Sequence, residues 1–375
     1  MGKLRIGLVG CGDVAHRHYL PALAALADEI EVVGCSAARP AAAERLAAAT
    51  RGWSPRIRAF GRLTELLEEA HPEAILNLTP APLHAAVSAE CLQSGAHVYS
   101  EKPIASSVAE ADRLIEMASS RGLTLLCAPA SAVTRRVRWL ADVVASGRLG
   151  RPTLAVAQCA TTGPAAWAEY TGDPTVFYGP GVGPVFDIGI YRLHELTTIL
   201  GPVRRVQATG TIAISSRTVV AGPLAGRTIE VTTPDHVLMN LEFAGGTLGQ
   251  LLSSFATPAT LAPWLEVQLT EGSISLTGDP FGSDGPASLF GPGGWEHGVF
   301  APPPEDPLPV IGMGARHFVN CVMGREKPVL TAEHARHVLE IVLAAYESIA
   351  DGRSHEIACR SDGLGAGPEI RLFAA

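Results

Sequence analysis

Lys102 stands in the run Gly95-Ala-His-Val-Tyr-Ser-Glu-Lys-Pro-Ile104, where a helix-stopping glycine precedes a short apolar strand that ends in an acid, a lysine and a proline. An ammonium group at the carboxyl end of a parallel strand can face a crevice, stabilise a developing alkoxide and lower the pKa of a neighbouring acid. About ninety residues upstream lies Gly10-Cys-Gly-Asp-Val-Ala15, a glycine loop of the kind that cradles a pyrophosphate. Downstream, Asp187 and Tyr191 are four apart in Gly181-Val-Gly-Pro-Val-Phe-Asp-Ile-Gly-Ile-Tyr191, so a helix would set both on one face. A phenol titrates near about 10, too high for a base at neutral pH, and a close cation brings it down. Together these residues could move a proton to or from an oxygen beside a nucleotide.

The elements that must carry them alternate in the first third. Leu4–Val9 is a short apolar strand that runs into the glycine loop and then into a helical stretch through Leu20, Leu23 and Leu26. Strands follow at Glu31–Cys35, Ala74–Leu78, His97–Ser100 and Leu123–Cys127, and helices at Pro40–Ala49, Leu63–Glu69, Leu83–Gln93 and Val108–Ser120. This order predicts a doubly wound parallel sheet with right-handed crossovers, an α/β Rossmann domain over residues 1–127.

Beyond Cys127 the pattern changes. Val133, Val137, Leu140 and Val144 mark an amphipathic helix ended at Gly147. Val237, Met239, Leu241 and Phe243 alternate up to Gly245-Gly246, Thr247–Phe255 reads as the returning strand, and Leu265, Val267 and Leu269 alternate likewise. Strands in succession predict an α+β domain over 128–375, built on an open-faced, mixed and largely antiparallel sheet. The Gly- and Pro-dense segment Gly278–Gly314 reads as a long irregular loop. Two helices close the chain, the longer from near Thr331 with Val338, Val342, Tyr346 and Ile349 on one stripe.

Composition narrows the class. The 375 residues are 47% hydrophobic and 18% charged, enough for two domains with a sizeable core and too apolar for disorder. A net charge of -8 with no Lys/Arg-rich run argues against nucleic acid, and no apolar stretch approaches a membrane span. Seven scattered cysteines with no C-x-x-C pair fit a reduced cytoplasmic setting without a metal site, and the N-terminus reads as a strand, not a signal peptide.

The glycine loop gains its meaning from position. With 39 glycines in 375 residues, a G-x-G pair is expected about 4 times by chance, whereas this one follows a strand and opens a helix. Gly10, Gly12, Asp13, Val14 and Ala15 are therefore the first cofactor-binding candidates. At the end of the second strand an acid would bond a ribose 2′-hydroxyl. Cys35-Ser36-Ala-Ala-Arg39 stands there instead. Ser36 can donate to a phosphate oxygen and Arg39 can add charge, which favours NADP over NAD; the competing reading makes Arg39 a solvated helix-start residue.

Taken with Asn77-Leu-Thr-Pro80, His84 and His97-Val-Tyr-Ser-Glu-Lys-Pro103, these motifs resemble the glucose–fructose oxidoreductase, inositol dehydrogenase and rhizopine-catabolism (Gfo/Idh/MocA) oxidoreductases. The matching residues span both predicted domains in order. The resemblance implies a Rossmann domain joined to an open-faced sheet, hydride transfer between NAD(P) and a secondary alcohol or ketone of a sugar, cyclitol or related polyol, and a homodimer or homotetramer built through the sheet face. It places the catalytic lysine at Lys102 and cofactor contacts at Asn77, Thr79, Pro80, His84 and Glu101. Many relatives carry His where this chain has Tyr191; others, resembling dihydrodiol dehydrogenases, carry Tyr.

In the reduction direction Tyr191 would give up its proton with Lys102 assisting, and Asp187 would orient one of them or bond a substrate hydroxyl. Asp187 also reads as a helix N-cap. For His194, three residues after Tyr191, a share in the proton relay stands beside a solvated or core histidine. His84 reads equally as a helix-start residue, and Trp167, Phe177 and Tyr178 as pocket lining or packing. Two other functions stay open: glycoside hydrolysis through transient oxidation on a bound nucleotide, and a cofactor-sensing protein without catalysis.

Overall fold

The computed structural model describes residues 2–168, 170, 172–278, 286–300 and 310–358. They form two compact units: those within Met1–Thr134 and Asp306–Leu339, and those within Arg135–Glu305 and Glu340–Ala375. The division thus falls seven residues later than the sequence boundary at Cys127, and a late helical segment belongs to the first unit instead of the second.

In the first unit, strands β1 (Leu4–Val9), β2 (Ile30–Ser36), β3 (Arg58–Phe60), β4 (Ala74–Asn77), β5 (His97–Ser100) and β6 (Leu125–Cys127) make one sheet in the order β3-β2-β1-β4-β5-β6. Every pairing is parallel. Such strands are covered on both faces, and β1, β2 and β4 are accordingly near-continuous apolar runs whose Ile6, Leu8, Val32, Ile75 and Leu76 are buried. Helices α1 (Leu20–Ala24), α2 (Pro40–Thr50), α3 (Leu63–Ala70), α4 (His84–Gln93) and α5 (Val108–Ser120) make the crossovers. α5 starts on a capping box: the Ser107 hydroxyl accepts from the Glu110 amide (3.3 Å) while the Glu110 carboxylate accepts from the Ser107 amide (3.1 Å). Tyr19 and Tyr99 pack with Phe318, from the late helix Val310–Val322. The strand order reverses direction between β1 and β4, which opens a crevice at their carboxyl ends. Only β3 has no counterpart in the sequence reading; three residues with two exposed leave no periodic signal.

The second unit opens with α6 (Arg135–Ala145) and β7 (Pro152–Ala160), followed by α7 (Ile190–Leu200). Strands β8 (Val203–Thr211), β9 (Ser216–Thr218), β10 (Thr228–Glu230), β11 (His236–Phe243), β12 (Leu248–Ser254), β13 (Leu265–Leu269), β14 (Gly272–Leu276), β15 (Ala287–Gly291), β16 (Gly294–His297) and β17 (His355–Glu356) follow. Nine of these make one sheet, β16-β15-β14-β13-β7-β12-β11-β8-β17, and β9 pairs with β10 apart from it. Only β7 and β12 run parallel, so the sheet is mixed and largely antiparallel. Along β11, Val237, Met239, Leu241 and Phe243 are buried while Leu238 faces outward, the alternation read from the sequence.

The expected loop over Gly278–Gly314 is corrected in its described part. Residues Ala287–His297 form the β15–β16 hairpin, turned at Gly294 with φ +96°, and Val310 already begins a helix. Glycine density there reflects the tight turn. Residues 279–285 and 301–309 of that segment lie outside the described residues.

Candidate active site

The glycine loop leaves β1 at Gly10. Its amide donates to the Ser36 carbonyl (2.9 Å), and the Leu78 amide donates to the Val9 carbonyl (2.7 Å), so the ends of β2, β1 and β4 are tied side by side. Gly10 has φ +96°, and a β-carbon there would strike the Leu78 carbonyl and stand 2.7 Å from the Thr79 nitrogen. At Gly12 a β-carbon would meet nothing within 4 Å. Protein packing therefore demands the first glycine, while the second keeps open a cradle that a side chain would fill. Ala15 is 1% exposed, letting the helix lie close on the sheet. Asp13 pairs with Arg17 (3.3 Å) and Val14 faces outward. The helix opens with a π-helical turn over Ala15–Tyr19 before α1. These features fit a dinucleotide pyrophosphate at the loop.

At the end of β2, Ser36 is 4% exposed and its carbonyl is spent on Gly10, while Arg39 is exposed just before α2. No acid occupies this strand end.

The turn after β4 is organised from within. The Asn77 amide donates to the His84 carbonyl and the Ser88 hydroxyl, both at 3.0 Å, and its oxygen accepts from the Thr79 hydroxyl (2.6 Å) and amide (3.3 Å). His84 is 1% exposed; Nδ1 lies 2.7 Å from the Pro103 carbonyl and Nε2 lies 2.7 Å from the Thr79 carbonyl. Asn77 and His84 are thus braces for the loops around the crevice and have their polar atoms turned into protein. Thr79 is half-buried and Pro80 exposed at the same strand end.

Lys102 follows β5 at the carboxyl edge of the sheet that carries the glycine loop, and is half-buried. Its amide donates to Glu101 Oε2 (3.0 Å), Glu101 Oε1 accepts from the Tyr19 hydroxyl (2.6 Å), and the Glu101 amide donates to the Asn77 carbonyl (2.9 Å). Tyr19 went unnoticed in the sequence. The signal available was a tyrosine at the end of the glycine-loop helix. A stronger signal was the scarcity of lysine: the chain has only Lys3, Lys102 and Lys327.

In the second unit, Asp187 lies within a second π-helical turn, Val185–Gly189, that runs straight into α7. Gly189 allows that turn to lie against β12, since a β-carbon there would strike the Ser253 hydroxyl. α7 is buried almost all round: Ile190, Arg192, Leu193, His194, Glu195, Leu196, Thr197 and Ile199 are all inside, with Arg192 bonded to Glu195 at 2.6 Å. The Arg192 and Arg136 guanidinium groups both lie over the Trp264 ring, 4.4 and 4.3 Å from its centroid. Asp187 and Tyr191, about one helical turn apart, are half-buried, as are Phe186, Thr198 and Leu200. The turn is π-helical, so Asp187 does not serve as a simple N-cap. His194 is 2% exposed, which removes the solvated reading and leaves the relay and core readings side by side. Tyr178 is fully buried, its oxygen accepting from the Ala165 amide (3.0 Å), and is packing; Trp167 and Phe177 remain half-buried beside the same cluster. Burial pushes the Tyr178 phenol up.

A dinucleotide-binding parallel sheet, a lysine at its carboxyl edge and a separate α+β unit define an oxidoreductase of the nicotinamide class. Residues 4–128 match the oxidoreductase family with an NAD-binding Rossmann fold, and residues 137–275 match the GFO/IDH/MocA C-terminal domain. The chain belongs to the GFO/IDH/MocA oxidoreductase family. It is 30% identical to the dTDP-3,4-didehydro-2,6-dideoxy-alpha-D-glucose 3-reductase of Streptomyces antibioticus, over 71% of this chain and 80% of that protein. It is 26% identical to the trans-1,2-dihydrobenzene-1,2-diol dehydrogenase of Bos taurus, over 76% of this chain and 80% of that one. The fold is shared with an NAD binding oxidoreductase from Klebsiella pneumoniae, with a TM-score of 0.79 at 20% identity, covering 96% of this chain and 100% of that one.

Proposed function

We propose that the protein transfers hydride between NADP, or NAD, and a secondary alcohol or ketone carbon of a sugar, cyclitol or related cyclic polyol. The observation that carries this reading is the placement of Lys102 at the carboxyl edge of the very sheet whose β1–β4 reversal holds the glycine loop. When bound, the nicotinamide supplies or accepts the hydride. Gly10, Gly12, Asp13, Val14, Ala15, Thr79 and Pro80 would hold the dinucleotide, Ser36 and Arg39 would face its ribose, and Asn77, His84 and Glu101 would support these contacts from behind.

In reduction, Tyr191 donates its proton to the substrate oxygen, and the Lys102 ammonium stabilises the negative charge that grows there. In oxidation the phenolate takes the proton back. Asp187 orients one of these groups or bonds a neighbouring hydroxyl, and His194 would share the relay or pack in the core. The similarity to a deoxy-ketosugar reductase and to a dihydrodiol dehydrogenase favours an oxygenated six-membered ring as substrate. The first unit would bind cofactor and the second substrate. The outward face of the large sheet, around Leu154, Val156, Leu238 and Leu248, would build a homodimer or homotetramer in a cytoplasmic setting.

The test is a fluorescence titration with NADPH and NADH, followed by absorbance assays on a panel of sugars, cyclitols and dTDP-linked ketosugars. Oxidation of NADPH with a cyclic ketone supports the reading. Product formed without net change in nicotinamide absorbance points to the hydrolytic alternative. Tight nucleotide binding with no turnover across the panel points to a sensor.

A further inference from the structure

Among the described residues of the first unit only two large hydrophobic side chains are exposed, Val14 at 40% and Leu83 at 50%. Single exposed apolar residues are ordinary on a protein surface, but these two share a location. Val14 stands just before the π-helical turn that follows β1, and Leu83 just before α4, which follows β4. The chain leaves β1 for β2 on one side and β4 for β5 on the other. Right-handed crossovers in opposite directions send the two helices to opposite faces of the sheet. Val14 and Leu83 therefore stand on the two lips of the crevice at the strand-order reversal.

Both lips are rigid. The Leu83 amide donates to the Pro80 carbonyl (2.9 Å), and the next residue, His84, has its ring nitrogens 2.7 Å from the Pro103 and Thr79 carbonyls. Beside Val14, Ala15 is buried against the sheet. An apolar side chain held in water on a fixed turn loses free energy that an apolar ligand face would offset.

The order β2-β1-β4 indicates which face that is. Ser36 and Arg39 at the end of β2 would take the adenosine ribose and the glycine loop of β1 the pyrophosphate, so the nicotinamide end arrives at β4. The reduced ring is uncharged, whereas the oxidised ring carries a positive charge. Apolar side chains desolvate either form, at a cost that is large only for the cation. The acids flanking these loops are already engaged: Asp13 pairs with Arg17 (3.3 Å), and Glu101 accepts from the Tyr19 hydroxyl (2.6 Å) and the Lys102 amide (3.0 Å).

We infer that Val14 and Leu83 form an apolar clamp for the nicotinamide ring that selects the reduced cofactor, so that the protein fills with the form that reduces a ketone. The inference rests on the dinucleotide reading of the first unit and adds a direction to it. Its test needs no substrate. Calorimetric titrations give dissociation constants for NADPH, NADP+ and 2′-phospho-ADP-ribose, which lacks the ring, with NADH, NAD+ and ADP-ribose in parallel.

The unaltered protein binds the reduced form about tenfold or more tightly than the oxidised form. Leu83→Asn sets an amide on the lip; it narrows that ratio about threefold or more and leaves the ringless nucleotide within about twofold. Val14→Thr narrows the ratio in the same sense and carries the test should Leu83→Asn not fold. Equal affinity for the two redox forms in the unaltered protein, or a ratio unmoved in both variants, overturns the inference. Equal weakening of the ringless nucleotide by Leu83→Asn does so too, because Leu83 would then touch the adenosine half or serve only the fold. Binding of none of these nucleotides removes the dinucleotide reading itself, whereas tight binding without redox preference removes the clamp alone.

Discussion

The carbonyl of Leu78 occupies the space in which a side chain on Gly10 would have to stand, and Gly10 holds φ +96° beside it. The first glycine of the loop is thus set by the closeness of β1 to β4, while Gly12, two residues on, touches nothing with its missing β-carbon. The two glycines answer to different demands. Gly10→Ala should lower the melting temperature by about 5 °C or more, since both a positive φ and a backbone clash must be relieved. Gly12→Ala should leave it within about 2 °C while weakening dinucleotide binding roughly tenfold or more. Calorimetry and NADPH fluorescence on the two variants check the contrast.

Ser36 ends β2 where an acid would select against a 2′-phosphate. Ser36→Asp should weaken NADPH about tenfold or more through like-charge repulsion and leave NADH within roughly threefold. Paired fluorescence titrations read both constants. A wild-type preference for NADH would reverse the assignment of Ser36 and Arg39.

His334 and His337 lie buried in the first unit, and burial drives them down to about 3 and about 4. Their folded values lie below the unfolded value of about 6.5, so on acidification the unfolded chain takes up protons that the native one refuses. Their contribution is complete above about pH 6.5 and is lost progressively as the pH falls toward 4, at about 1.4 kcal/mol per pH unit for each histidine at most. Urea unfolding from pH 7 to pH 4.5 should show stability falling with acid, and His334→Gln should flatten that slope.

Much of the fold could be read from the chain because its elements are long and regular. The alternation of Val237, Met239 and Leu241 and the apolar runs of β1, β2 and β4 have no competing reading. What escaped included short or glycine-rich pieces, the three residues of β3 and the β15–β16 hairpin, and also the nine-residue β7 and β8, whose mixed burial gives no clean alternation. Site residues escaped for another reason. The tripeptide Glu-Lys-Pro occurs again at Glu326-Lys327-Pro328, where Lys327 is exposed and Glu326 bonds His317 and Asn320, each at 2.7 Å. Only the preceding strand distinguishes Lys102 from it. Contacts such as Tyr19 with Glu101 join residues too far apart in sequence for any local pattern to announce them.

The burial of α7 isolates the role of its phenol. Every charged or imidazole side chain of its first turns is interior, and Tyr191 is left half-buried next to them. Tyr191→Phe, which removes only a hydroxyl, should lower kcat by about a hundredfold or more with the melting temperature held within about 2 °C. Steady-state rates beside calorimetry check it.

The most direct measurement compares Lys102→Met with the unaltered protein in single-turnover hydride transfer from bound NADPH to a cyclic ketone that the protein reduces. A Met side chain keeps the stem and removes the charge. The expected result is a rate at least about a hundredfold lower, with NADPH affinity within roughly threefold. An unchanged rate would show that no ammonium is needed at the end of β5, contradicting the placement of catalysis there.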